Sequence, residues 1–165
     1  MSTTARDYSS ILRKSIYTVL NGNVTVAFTA DNTVITADDD ITPVNASYTY
    51  PVFKDPIRGQ PNRAYVMIGT IIDTESGPKD NFVYQGSVSI EVVDESQTIN
   101  PTRDLSETMN NVVRKTLKTT KGGVFTVTDF TLTYFRHGGS TRMEEKLPDG
   151  RKSYRIIDIY EYAIQ

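Results

Sequence analysis

Apolar residues recur at helical spacing twice in this chain, and they alternate at strand spacing in several other places. Ile11, Leu12, Ile16, Val19 and Leu20 fall on one helical face, with Arg13, Lys14 and Thr18 mostly opposite. Asp7 or Ser9 is placed to cap this helix, because a side-chain oxygen there accepts from the free N–H groups of the first turn. Asn21-Gly22 supplies its end, since both residues tolerate the left-handed backbone of a C-cap. The second helical run is Leu105, Met109, Val112, Val113 and Leu117. Asp104 is its expected cap, with Glu107 three residues on as in a capping box. Arg114, Lys115 and Lys118 offset the negative end of the helix dipole, and Gly122-Gly123 closes it.

Strand patterns fill most of the remainder. Residues 24–28 and 33–35 read as short strands around Asp31-Asn32. Residues 36–63 carry Pro43, Pro51, Pro56 and Pro61, each lacking a backbone donor, which predicts a long irregular loop suited to contacts. In 64–73, Val66, Ile68 and Ile72 point one way while Tyr65, Met67 and Ile71 point the other. Both faces are apolar, so this strand is expected to be covered on both sides. Residues 82–93 alternate, with Phe82, Tyr84, Val88, Ile90 and Val92 on one face, as in a half-buried antiparallel partner of 64–73.

The last third reads as a long hairpin over 124–165. Phe125 and Val127 share one phase, then Phe130, Leu132 and Tyr134 the other, which predicts a bulge near Asp129 or a strand whose two halves face different partners. Tyr154, Ile156, Tyr160, Tyr162 and Ile164 line one face of the final strand, and Ile157, Ile159 and Ala163 the other. His137-Gly138-Gly139-Ser140 and a polar segment to Arg151 separate the two strands. A dozen strand residues span roughly 40 Å. A domain of this size has a radius of gyration of roughly 15 Å. The hairpin is therefore expected to overhang the core and to be covered by another subunit. Both helices must cover the same sheet. The predicted fold class is α+β: one domain over 1–165, a mostly antiparallel sheet with two helices on one face, and a long C-terminal β-hairpin.

Composition narrows the chemistry. The chain has 165 residues, with 38% hydrophobic and 23% charged residues, within the range of a single soluble domain. Lys+Arg 18 against Asp+Glu 20 gives a net charge of -2, which argues against a generic basic nucleic-acid binder. With Cys 0 and His 1, Cys/His zinc sites, iron–sulfur clusters, thiol nucleophiles and disulfides are excluded or nearly so. No apolar run reaches the ~18 residues of a membrane span, and no signal peptide is evident.

Individual candidates give little catalytic chemistry. His137 lies in a glycine-rich stretch that reads as a solvated turn, and no serine sits in a Gly-x-Ser-x-Gly setting. Asp38-Asp39-Asp40 lacks the spacing of a cation-binding loop and reads as an acidic solvated segment. In Lys118-Thr119-Thr120-Lys121-Gly122-Gly123 the glycines follow a helix, whereas a phosphate loop needs them before one. Arg58, Arg63, Arg136, Arg142, Arg151 and Arg155 are interleaved with acids, as on a mixed-charge surface. With Tyr 10 and Trp 0, the aromatic content suits contact surfaces as well as strands.

Several of these segments together resemble a family. The stretch from Ser10 through Leu20 (SILRKSIYTVL) looks like the N-terminal helix of bacteriophage tail-terminator and tail-completion proteins. Pro61-Asn62-Arg63-Ala64-Tyr65-Val66-Met67-Ile68-Gly69 occupies the place of the family's strand after a proline, and 82–93 looks like its outer strand. Residues 105–117 are similar to its second helix, followed by two antiparallel strands. The chain departs from the minimal pattern in the long 36–63 loop and the extended hairpin, which leaves terminator and neck positions both open. The resemblance implies a structural virion protein without catalysis or cofactor, assembled in the host cytoplasm into a homo-oligomeric ring, hexameric or, for a neck ring, dodecameric. It implies tail-tube, portal or connector proteins as partners, and DNA passing through the lumen without sequence-specific binding. Within that picture Phe130, Leu132, Tyr134, Tyr160 and Tyr162 are expected at the subunit interface, and Tyr48, Tyr50, Phe53 and Arg58 against a neighbouring ring. The alternative is a small-molecule-binding or protein-binding α+β domain without catalysis.

Overall fold

The computed structural model describes residues 7–28, 46–55, 64–76, 83–95, 103–118 and 125–165. Helix α1 spans Tyr8–Leu20, and Asp7 caps it by accepting from the Ser10 N–H at 3.1 Å. Leu12, Ile16 and Leu20, four residues apart, are all buried. At its end only Gly22 takes the left-handed backbone, with φ of 80°, while Asn21 stays extended. Helix α2 spans Arg103–Thr116, and Leu105, Met109, Val113 and the following Leu117 enter the core. Because α2 starts at Arg103, Asp104 lies inside its first turn instead of capping it, and Glu107 pairs with Arg142 instead of closing a capping box. The expected Gly122-Gly123 stop lies outside the described residues.

The strands are β1 (Thr25–Phe28), β2 (Ala46–Thr49), β3 (Val52–Phe53), β4 (Tyr65–Ser76), β5 (Val83–Asp94), β6 (Leu132–Lys146) and β7 (Lys152–Ile164). The first two form a separate antiparallel pair, and the rest make one sheet in the order β3-β4-β5-β7-β6. Every pairing is antiparallel except β3 with β4. Helix α1 packs on β3, β4 and α2, while α2 packs on β1, β5 and β7. This is the expected α+β arrangement with both helices on one sheet face.

Three local expectations are corrected. The partner of β1 is β2, which with β3 lies inside the stretch read as an irregular loop, because Pro51 sits between strands and removes no ladder bond there. Residues 33–35 lie outside the described residues. In β4 the register shifts between Ile68 and Ile71. One extra residue reverses the alternation, so Ile71 packs on the core and Ile72, expected beside Val66 and Ile68, is 64% exposed. Upstream of that bulge Tyr65 and Val66 are both buried, as expected of a strand covered on both faces.

The C-terminal hairpin differs most. The phase change at Asp129 is a chain reversal, not a bulge: Val127 bridges Phe130 across it, and Asp129 takes a φ of 63°, which a short acidic side chain tolerates. β6 starts later than predicted and runs straight through His137-Gly138-Gly139-Ser140, with a bulge between His137 and Gly139. The actual turn is at Pro148-Asp149-Gly150, where the Leu147 N–H donates to the Arg151 carbonyl at 2.8 Å. The expected overhang is also corrected. β5 backs β7 from Tyr84–Ile164 through Asp94–Tyr154, so only the Ser153 and Lys152 pairs and the turn project. β4 and β5, 12 residues each, run nearly the length of the hairpin.

Candidate functional site

Register decides what each strand residue can touch, since residues paired across an antiparallel ladder point to the same face. Tyr162 pairs with Phe135 and Tyr160 with His137 on the helix-covered face. Tyr160 and Tyr162, expected at the subunit interface, are therefore interior to the chain, with Tyr160 stacking on Phe135 at 5.0 Å. Leu132 is buried as well, and Phe130 is half-buried with its ring edge-on to Tyr8. A register shift between Leu132 and Tyr134 places Tyr134 opposite Ala163 on the other face, exposed beneath the Arg136 guanidinium. Of the five, Tyr134 alone is exposed.

The second expected group is also divided. Tyr48 on β2 is exposed. Tyr50 is half-buried, and its phenol is pushed up to about 12, first by burial and then by the charge of Asp94. The Phe53 ring is turned edge-on to Tyr65 at 5.8 Å. Arg58 lies outside the described residues, as do Arg63 and Asp38-Asp39-Asp40.

A different surface emerges on the sheet face away from the helices. Ile72, Tyr134, Met143 and Ile159 come from β4, β6 and β7, and by register all lie on this face. They are the large apolar side chains most exposed there, set among the Arg136–Glu161 and Arg155–Glu91 ion pairs. Beside them β6 is an edge strand, paired on one side with β7 among the described residues. A long edge strand is a ready template for another chain, and its charges, Arg136, Arg142, Glu144, Glu145 and Lys146, restrict which chain can add. Sequence reasoning missed this surface because the bulge in β4 and the late start of β6 reassign the faces.

It also missed the polar seam that holds α2 to the hairpin. Asp158, fully buried on β7, accepts from Arg114 Nε at 2.6 Å and from the second guanidinium nitrogen at 2.8 Å. With its amide turned so that both of its polar atoms are satisfied, Asn110 donates to the same carboxylate, and His137 Nε2 lies 3.4 Å from its other oxygen. The Ser140 hydroxyl also donates to it. Burial raises the Asp158 carboxyl, but the hydrogen bonds from Arg114 and Ser140 and the charge of Arg114 outweigh it and hold it below the usual carboxylate range. His137, read as a solvated turn residue, thus sits mid-strand over a buried carboxylate. The signal was present in the sequence: Asp158 falls in phase between Ile156 and Tyr160, and a charge on a buried stripe requires a partner. The groups around Asp158 converge on one carboxylate, which makes them a clamp between helix and sheet.

Among the described residues, no group of three or more His, Asp or Glu side chains is arranged to hold a metal ion, and no helix is long and apolar enough to cross a membrane.

No protein-family model matches this sequence, and no curated protein matches it. Among solved structures, the chain is similar to one described as the virion of a native gene transfer agent (GTA) particle, with a TM-score of 0.60. The match covers 97% of this chain and 98% of that chain at 11% identity. The two therefore share a fold from end to end.

Proposed function

We propose that this chain is a structural virion protein of a phage-like particle: a ring-forming tail terminator, tail-completion or neck protein that joins the tail to the head connector. The observation that carries this reading is the end-to-end fold match with a chain of a gene transfer agent virion. The β6 edge, which no other described strand pairs, and the apolar residues on the outer face support it, because a surface on one side of a subunit that meets a different surface on the next generates a closing ring. A net charge of -2 suits a lumen through which DNA slides without being held. The work is mechanical, and no residue is assigned a catalytic role. Its partners are further copies of itself and the tail-tube, portal or connector proteins.

Native mass spectrometry over a concentration range, with electron micrographs of the same sample, tests this. Closed rings, alone or on addition of tail tubes or connectors, are expected. A chain that stays monomeric with both added overturns the proposal.

A further inference from the structure

The large sheet ends differently on its two sides. On one side lies β6, whose outer edge no described strand pairs. On the other side β3 covers β4 only at Val66 and Met67. Just past that cover, the Arg13 guanidinium donates to the Lys54 and Ile68 carbonyls, each at 2.7 Å, and closes the corner. From Thr70 to Ser76 no described strand pairs the outer side of β4. Each side of the sheet therefore presents an edge with backbone groups open to another strand.

Strand direction decides which edges can meet. The pairings from β4 through β5 and β7 to β6 are all antiparallel. The four strands alternate in direction, so β6 runs opposite to β4. A second copy set alongside in the same orientation brings its β6 antiparallel onto the β4 edge. One edge meeting a different edge, repeated from copy to copy, is the heterologous contact that closes a ring and leaves no edge over. An edge paired with its own copy would leave the other edge open.

The register is constrained as well. β3 lies on the same side of β4 as the incoming strand, and the incoming β6 points its hairpin end toward β3. Lys146 must therefore stop short of β3, which lays 140–146 along 70–76. Residues opposed across a ladder share a face. On the outer face these segments offer Met143 and Ile72, and the register nearest β3 that keeps the faces matched sets them opposite each other. Both are exposed, at 40% and 64%, and the contact covers both. The next pair sets Arg142 opposite Asp73 on the helix face, with opposite charges. Copies joined in this way are staggered along the strands, as closure of a sheet requires.

We propose that a second copy of this chain adds its β6, through 140–146, antiparallel to β4 at 70–76, so that one sheet runs from subunit to subunit around the assembly. The inference rests on the ring reading above and names the two surfaces that make the ring.

Cross-linking tests it, because the chain has Cys 0 and introduced thiols report one contact. Both positions are exposed, so the variants retain the fold. Rings of Ile72→Cys/Met143→Cys, assembled reduced and then oxidised with diamide, are expected to give a covalent ladder up to ring size on denaturing gels. Mixed rings of the two single variants are expected to give covalent dimers and nothing larger. On the unaltered chain, amide hydrogen exchange at 70–76 and 140–146 is expected to slow by more than about tenfold on assembly. Rings that form without a ladder from this pair or from Thr74→Cys/Met143→Cys overturn the edge pairing and leave the ring reading standing. Unchanged exchange at both segments in formed rings does the same, as do covalent dimers from either single variant alone, which mark an edge meeting itself. A chain that forms no rings even with tail tubes and connectors overturns both readings.

Discussion

The Arg114 guanidinium grips the Asp158 carboxylate through two parallel hydrogen bonds of 2.6 and 2.8 Å, joining the last turn of α2 to the middle of β7. Asp158 is wholly buried, while the Arg114 side chain keeps a third of its surface in solvent. The pair therefore stabilises chiefly by keeping a buried charge partnered. Arg114→Ala is expected to destabilise the fold by roughly 3 kcal/mol, measured by urea unfolding, since the stranded carboxylate has lost its main counterion. Replacing both residues with leucine is expected to cost less than the single change.

The same pair sets an acid limit. A carboxyl held below its unfolded value contributes stability above the unfolded pKa and loses it as pH falls through the folded one. Unfolding midpoints are expected to drop below about pH 4. Arg114→Ala is expected to flatten that limb. Asp149, lowered by its hydrogen bonds from Arg151, contributes in the same window and is left intact by this variant. An Arg114→Ala profile parallel to the wild type would show that the limb belongs to other groups.

Gly86 tests the sheet register. A Cβ there would lie 2.1 Å from the Ile72 carbonyl oxygen and 2.9 Å from the Tyr162 hydroxyl. Gly86→Ala is expected to lose about 1–3 kcal/mol through overpacking, or more if β4 must separate. Gly139→Ala meets nothing within 4 Å and is expected to be nearly silent. Thermal melts of the two variants distinguish a packed position from an open one in the same sheet.

The burial of the tyrosines separates stability from assembly. Tyr162→Ala is expected to cost roughly 3–5 kcal/mol, as for other buried aromatic residues. Tyr134→Ala is expected to change stability by no more than about 0.5 kcal/mol. Ile159→Glu on the outer face is likewise expected to leave the monomer folded, yet to abolish rings in native mass spectra. Intact rings from Ile159→Glu would remove the outer face from the assembly surface.

Two features explain why the sequence misplaced the hairpin. Glycine, serine and histidine at 137–140 are turn-forming residues by local preference, but β7 offers them a ladder, and one bulge absorbs the mismatch. The true turn, at Pro148-Asp149-Gly150, was equally visible as a turn signal, and Gly150 takes the positive φ of 86° that such a turn requires.

The sequence by itself determined the helices, the antiparallel β4–β5 pair and the fold class, because periodicity of burial is a local property. Leu12, Ile16 and Leu20 repeat every four residues whatever lies beyond them, and Val88, Ile90 and Val92 every two. Only the tertiary structure decided which face of each strand meets solvent. A single extra residue in β4 turned Ile72 outward, and the start of β6 turned Tyr134 outward while Tyr160 and Tyr162 stayed inside. It alone brought Arg114, Asn110, His137 and Ser140 to Asp158. These are meetings of residues far apart in sequence, set by register and helix placement, and local pattern carries no record of either.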